Sequence, residues 1–184
     1  MSQLQKGIVQ VYTGTGKGKT TAALGLCLRA IGQGLRVCII QFLKGGWQTG
    51  ELTATARLAP ELVFLTFGAD RQARAGEGPW WEAGYDEQDY AAAREALEAA
   101  RQALARDEYD LIVLDEINCA LHDGLLSVQE VLELIEHKPQ QTELVLTGRD
   151  APQAIIERAD LVTDMHEVKH PFRQGVKARK GIEY

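Results

Sequence analysis

A glycine-rich turn, Gly14-Thr15-Gly16-Lys17-Gly18-Lys19-Thr20, follows the apolar run Ile8 to Tyr12 and opens into an alanine- and leucine-rich stretch beginning near Lys19. No other feature of the sequence narrows the fold as far. A strand that turns over glycines into a helix brings backbone N–H groups and the positive end of the helix dipole to one small volume, which suits phosphate oxygens. In that setting Lys19 neutralises phosphate charge, and the Thr20 hydroxyl is the group that ordinarily reaches a divalent metal. The segment is therefore read as a loop for the phosphates of a nucleoside triphosphate. It is one residue shorter than the common G-x-x-x-x-G-K pattern, has Thr13 where the first glycine usually stands, and carries an additional lysine, Lys17. Transfer of the terminal phosphoryl group does not follow from such a loop alone.

Beyond the loop, short apolar runs alternate with longer helical patterns, the signature of strand-helix-strand units and a mostly parallel sheet. Strands are expected over Gly7 to Tyr12, Arg36 to Phe42, Leu62 to Thr66, Leu111 to Asp115 and Leu144 to Thr147, with Leu161 to Met165 as an edge strand. One helix is expected over Thr20 to Ile31, stopped by Gly32-Gln33-Gly34 in a left-handed terminus. Another runs from Asp86, a plausible N-cap, to Arg106, with Ala93, Leu97, Ala100 and Leu104 on one face. The fold class is α/β: a mostly parallel central sheet between helical layers, a RecA-like three-layer sandwich built as one domain over residues 1–184. Two stretches read as loops, a mobile one over about residues 68–85 with two adjacent tryptophans, and the basic tail over about 169–184.

Composition excludes several classes. The formal net charge is −6, which argues against an electrostatic grip on nucleic acid or on an anionic membrane. No apolar run approaches the roughly 20 residues of a spanning helix, and the N-terminal residues are short and polar, so neither membrane insertion nor export is expected. The three cysteines, Cys27, Cys38 and Cys119, are odd in number, lie among apolar neighbours and form no C-x-x-C pair. They read as buried, reduced thiols of a cytoplasmic protein.

The second chemical feature is Leu111-Ile112-Val113-Leu114-Asp115-Glu116, an apolar strand ending in two carboxylates. Such a strand end is where this kind of fold places the acid that completes a magnesium site, so Thr20 with either Asp115 or Glu116 is the candidate metal set. Arg149, after a strand-end Thr-Gly, either contacts phosphate or pairs with Asp150. His122, His137, His166 and His170 show no metal spacing.

Read as Thr13-Gly14-Thr15-Gly16-Lys17-Gly18-Lys19-Thr20-Thr21-Ala22-Ala23, the loop resembles the shortened form found in the ATP:corrinoid adenosyltransferases. The resemblance extends to Gln41-Phe42-Leu43-Lys44-Gly45 with Trp47, Gly50 and Glu51, to Val113-Leu114-Asp115-Glu116, to Leu146-Thr147-Gly148-Arg149, and to Lys169-His170-Pro171-Phe172 with Gly175-Val176-Lys177-Ala178 and Gly181-Ile182-Glu183-Tyr184. It implies that cobalt(I) of a reduced corrinoid attacks the 5′ carbon of ATP and releases tripolyphosphate, with the triphosphate held in the reverse of its usual direction. No protein nucleophile is then needed. Positioning and charge stabilisation would fall to Lys17, Lys19 and the backbone of Gly14 to Thr21, together with Arg149 and Mg2+ or Mn2+. The resemblance further implies aromatic groups that displace the corrinoid's lower axial ligand. Trp81 matches the family's tryptophan, Pro79 stands where some members have phenylalanine, and Trp80 is the alternative; Phe172 is a further candidate facing the corrinoid. The implied partners are cobalamin, cobinamide or cobyrinic acid a,c-diamide, an electron-donating flavoprotein reductase and a second copy in a homodimer.

Other classes share the loop and the Asp-Glu pair. A RecA-like motor is disfavoured by the acidic charge and short chain, a kinase by the lack of a separate catalytic base or lid arginine. A corrinoid carrier that binds nucleotide without turnover is the third rival. Tripolyphosphate as product distinguishes the transferase from enzymes that make ADP.

Overall fold

The computed structural model of the protein describes residues 4–46, 49–75 and 83–183, with only the backbone of Gln72. Six strands form one sheet: β1 (Val9–Thr13), β2 (Val37–Gln41), β3 (Leu62–Thr66), β4 (Leu111–Asp115), β5 (Glu143–Thr147) and β6 (Leu161–Asp164). Their order is β3-β2-β4-β5-β1-β6 and every pairing is parallel. All six expected strands are present, with ends differing by a residue or two. Strands β2 and β4 are buried along their whole length, as befits near-continuous apolar runs covered on both faces. The insertion of β5 between the loop-bearing β1 and the acid-bearing β4 gives the sheet its RecA-like order.

Helix α1 (Lys19–Ile31) covers one face, packing Ala23, Cys27 and Ala30 on Val37, Ile39, Leu111, Val113 and Val145. It stays right-handed through Gly32, and the left-handed residue is Gly34, with φ 76. Two short helices follow, α2 (Gly50–Thr55) and α3 (Arg71–Ala75), the second inside a segment expected to be loop. Helix α4 (Glu87–Ala105) lies on the opposite face with the expected Ala93, Leu97, Ala100 and Leu104 buried. Asp86 caps it: the Asp86 carboxylate accepts from the backbone of Gln88 and Asp89, and Asp89 reciprocates on the Asp86 N–H. Helices α5 (Ile117–His122), α6 (Val128–Glu136) and α7 (Gln153–Arg158) complete that layer through Ile117, Val131, Leu134 and Ile155. Leu97 is 1% exposed, so Leu97→Ala would cost about 2–5 kcal/mol through the cavity it leaves.

The α3 to α4 connection is tied at its base. Arg74 pairs with Asp86 and, at 2.5 Å, with Asp89, whose side chain is 2% exposed. Arg71 lies over the Tyr85 ring, 4.2 Å from its centroid, and the Tyr85 hydroxyl donates to Asp123. Trp47, Pro79, Trp80 and Trp81 lie outside the described residues. Beyond β6 the tail forms a 3₁₀ turn, Pro171–Gln174, and is otherwise turns and extended chain. No helix of the described residues is long and apolar enough to cross a membrane.

Candidate functional site

Strand β1 ends at Thr13, and Gly14 leaves it with φ 94, a backbone conformation that disfavours a side chain. Space forbids one as well, since a Cβ there would come within 2.1 Å of an Asp164 carboxylate oxygen on β6. The Gly16 N–H donates to the Met165 carbonyl at 2.6 Å, so the chain just beyond β6 braces the loop from the side. That amide, expected to face phosphate, is taken by the protein in this structure. The start of α1 is open by contrast. Its N-cap, Gly18, provides no side-chain bond, and the first turn holds no acidic residue, unlike the starts of α4 and α6. Such a helix start leaves N–H groups and a positive dipole end available to an anion. Across this space Lys19 Nζ donates to the carbonyls of Gly14 and Gly16, at 2.7 and 2.8 Å. Burial lowers the Lys19 ammonium from its ordinary value, while the Glu116 carboxylate pulls it the other way.

The carboxylates that end the β4 segment divide. Asp115 is 1% exposed and accepts three hydrogen bonds: Thr20 Oγ1 (2.9 Å) and Thr147 Oγ1 (2.6 Å) on Oδ1, and Gln41 Nε2 (2.9 Å) on Oδ2. Glu116 follows in the left-handed region, φ 64, which breaks the strand's alternation and turns its side chain out of the sheet. The turn is held by Glu116 N–H donating to Thr147 Oγ1 at 3.0 Å. The Glu116 carboxylate receives the Cys119 thiol at 2.9 Å, and Cys119 Sγ in turn accepts from Arg149 N–H at 3.3 Å. Burial first, and then Glu116, pushes the Cys119 thiol up to about 12. Cys27 and Cys38 are likewise pushed up to about 12 by burial.

Thr20 and Asp115 thus meet through a hydrogen bond, and Glu116 follows Asp115 with its carboxylate close enough to act on Lys19; all three offer oxygen, the donor that magnesium prefers. The buried Oε1 of Gln41, beside Asp115, lacks a hydrogen-bond partner among the described residues, as an acceptor facing metal-bound water would. The donor set fits a hard divalent cation. Lys17 and Thr15 are exposed at the loop's rim, and Thr21 is exposed as the third residue of the helix. Arg149 is exposed and forms no ion pair with Asp150 among the described residues; its charge is felt at Lys19. Phe172 is 66% exposed on a turn that the His170 ring caps by accepting from Phe172 N–H. His137 contacts the Glu133 carbonyl, and His166 lies 3.4 Å from Asp164. Gln41, Thr147 and Arg74 were given no role by sequence reasoning. A polar residue closing an apolar strand run was the available signal for the first two.

The strand-loop-helix unit, the inserted strand and the acid-bearing strand define a phosphate-loop nucleotide-binding protein. A profile of the family described as ATP:corrinoid adenosyltransferase BtuR/CobO/CobP matches residues 5–184. The corrinoid adenosyltransferase of Pseudomonas aeruginosa is 40% identical over 180 residues, covering 98% of this chain and 85% of its own. That of a Sinorhizobium species is 42% identical over 182 residues, with 98% and 81% covered, and that of Escherichia coli K12 is 39% identical over 183 residues, with 100% and 88%. The chain belongs to the ATP:corrinoid adenosyltransferase family and is a transferase.

Proposed function

We propose that the protein transfers the 5′-deoxyadenosyl group of ATP to the cobalt(I) of a reduced corrinoid and releases tripolyphosphate. Two electrons of cobalt(I) form the cobalt–carbon bond as the bond from C5′ to its phosphate oxygen breaks, and that oxygen keeps its pair. One observation carries the reading: Lys19 spans the loop carbonyls and Asp115 holds the Thr20 hydroxyl, while the nearby Cys119 thiol, pushed up to about 12, is no activated nucleophile. Cys119, held near 12, is un-ionised at pH 7 and serves as a hydrogen-bond donor to Glu116. Reactive electrons then come from the substrate.

In this mechanism Lys19, Lys17, Arg149 and the backbone amides of the loop and the start of α1, Gly14, Thr15 and Lys17 through Thr21, bind the triphosphate and stabilise the charge it gains on leaving; the Gly16 amide joins them only if it leaves the Met165 carbonyl. Lys19 turns from the loop carbonyls to phosphate oxygens. A bound Mg2+ or Mn2+ would supply further stabilisation of that charge. Thr20 and Glu116 would hold it. Asp115, both of whose oxygens already accept bonds, fixes the Thr20 hydroxyl from behind. Trp81 or Trp80 would displace the corrinoid's lower axial ligand, and Phe172 would face the corrinoid. The corrinoid is cobalamin, cobinamide or cobyrinic acid a,c-diamide, a flavoprotein reductase supplies the electron that makes cobalt(I), and the enzyme works as a cytoplasmic homodimer.

The test is anaerobic incubation of the pure protein with ATP, Mg2+ and chemically reduced cobalt(I) corrinoid. A light-sensitive alkylcobalt spectrum with tripolyphosphate is the expected result. ADP as product, or ATP binding without any spectral change, removes the transferase reading and leaves a nucleotide-binding domain.

A further inference from the structure

Gln41 ends β2 after four apolar residues and lies in register with Asp115 on one side and Thr66 on the other. Its side chain shares the α1 face with Asp115 and is 1% exposed. The Gln41 amide nitrogen donates to Asp115 Oδ2, so the amide oxygen points elsewhere. That oxygen is buried without a partner among the described residues. Thr66 Oγ1, in the neighbouring register position, is buried without one too, so it does not donate to Gln41. A buried acceptor in this state has lost its water and gained nothing in return. Leucine would fill the position without that cost, whereas the Gln41 amide donates to Asp115 through one atom and offers an acceptor through another. The site still lacks one component: a strong donor. Divalent cations of this class keep several waters, and the polarised O–H groups of such waters are strong donors.

We propose that Gln41 is a positioning residue of the metal site: Nε2 holds Asp115, and through it the Thr20 hydroxyl, while Oε1 accepts a hydrogen bond from a water on the divalent cation. The inference rests on the reading that a cation sits beside Thr20 and Glu116, and it is independent of the corrinoid chemistry. Outer partners of this kind typically change metal affinity by about 10–100-fold.

The test uses the full chain loaded with ATP and titrated with Mn2+, the free ion being followed by electron paramagnetic resonance. ATP affinity in EDTA and the melting temperature are measured alongside. In Gln41→Met, which keeps the volume and removes both amide groups, Mn2+ affinity is expected to fall at least about 10-fold, with metal-free ATP affinity within about 2-fold of the parent. Unchanged Mn2+ affinity with a shift in melting temperature alone would overturn the proposal and make Gln41 a packing residue that shares a structural water with Thr66. Failure of the parent protein to bind Mn2+ with ATP would overturn the metal reading and this inference together. If Gln41→Met does not fold, the side-chain amide resonance of Gln41 in the parent decides. A shift on adding Mg2+ to the ATP-loaded protein supports the proposal, and no shift overturns it.

Discussion

The neighbourhood of Asp115 and the tail beyond β6 both carry residues of the candidate site, yet they are held in opposite ways. One buried carboxylate gathers hydrogen bonds from α1, β2 and β5, elements far apart in the chain, and its geometry is imposed by the sheet. In the tail, Arg173 pairs with Glu167 and Arg179 with Glu183, pairs that join an exposed arginine to a partly covered glutamate close in sequence. Val168 is 97% exposed and Phe172 66%. Surface pairs of this kind contribute little to stability. The sheet end around Asp115 is therefore fixed by the fold itself, whereas the tail is held by short-range surface pairs. Glu183 does come back toward the loop, close enough for the Lys17 charge to act on it.

The largest effect should come from the sheet end. Lys19→Ala removes the ammonium that bridges the loop, and adenosylation with prereduced cobalt(I) is expected to fall at least about 100-fold. Retained activity would mean that the loop does not hold the leaving group. Thr147→Val tests the support behind it. The Thr147 hydroxyl donates to Asp115 and accepts from Glu116 N–H in a site with 0% exposure, so its loss leaves two buried groups short of a partner. Unfolding in urea is expected to show a loss of about 1–3 kcal/mol. A neutral outcome would show that Asp115 is held well enough by Gln41 and Thr20 alone.

The same contrast explains what the sequence made legible. Strands β2 and β4 are apolar throughout because both faces are covered, and their runs are visible without any structure. The phosphate loop and the Asp86 cap are local patterns, complete within a few residues. Helices α2, α3, α5 and α7 are too short to display a period, which is why Arg71–Ala75 was expected to be loop. The division of labour between Asp115 and Glu116 turns on one left-handed residue, and Glu116 is not a type that advertises it. Gln41 and Arg74 act through partners on other elements, so neither residue alone announces its role. In the tail the motifs match the family closely, but local sequence does not say what the exposed side chains face.

Smaller effects are expected away from the sheet end and should separate substrate binding from stability. Trp81→Ala is expected to lower activity far more when a cobalt(II) corrinoid must be reduced on the enzyme than when cobalt(I) is supplied. Equal losses in the two assays would remove the axial-ligand role. Phe172→Ala is expected to raise the KM for corrinoid by about 10-fold, as loss of an apolar contact does, with the melting temperature unchanged because the ring is already exposed. A clear drop in melting temperature would instead place the tail among the structural parts of the fold.

Glu183→Gln should have the smallest effect on the free protein. Hydrogen bonds from Arg179, chiefly, hold the Glu183 carboxyl down to about 2, with the Lys17 charge assisting. A depressed carboxyl adds stability above its unfolded value of about 4.5, and that contribution fades as pH falls from there through about 2. Because the pair lies at the surface with Arg179 exposed, water and salt screen the interaction, and melting curves of Glu183→Gln and its parent are expected to coincide at pH 7. With ATP bound, Lys17 is drawn to phosphate and the Glu183 contact is weakened in the parent as well, so the two proteins should again coincide. A melting difference that appears only in ATP-free protein would show that the tail is fastened to the loop through Lys17 and must be released when nucleotide binds.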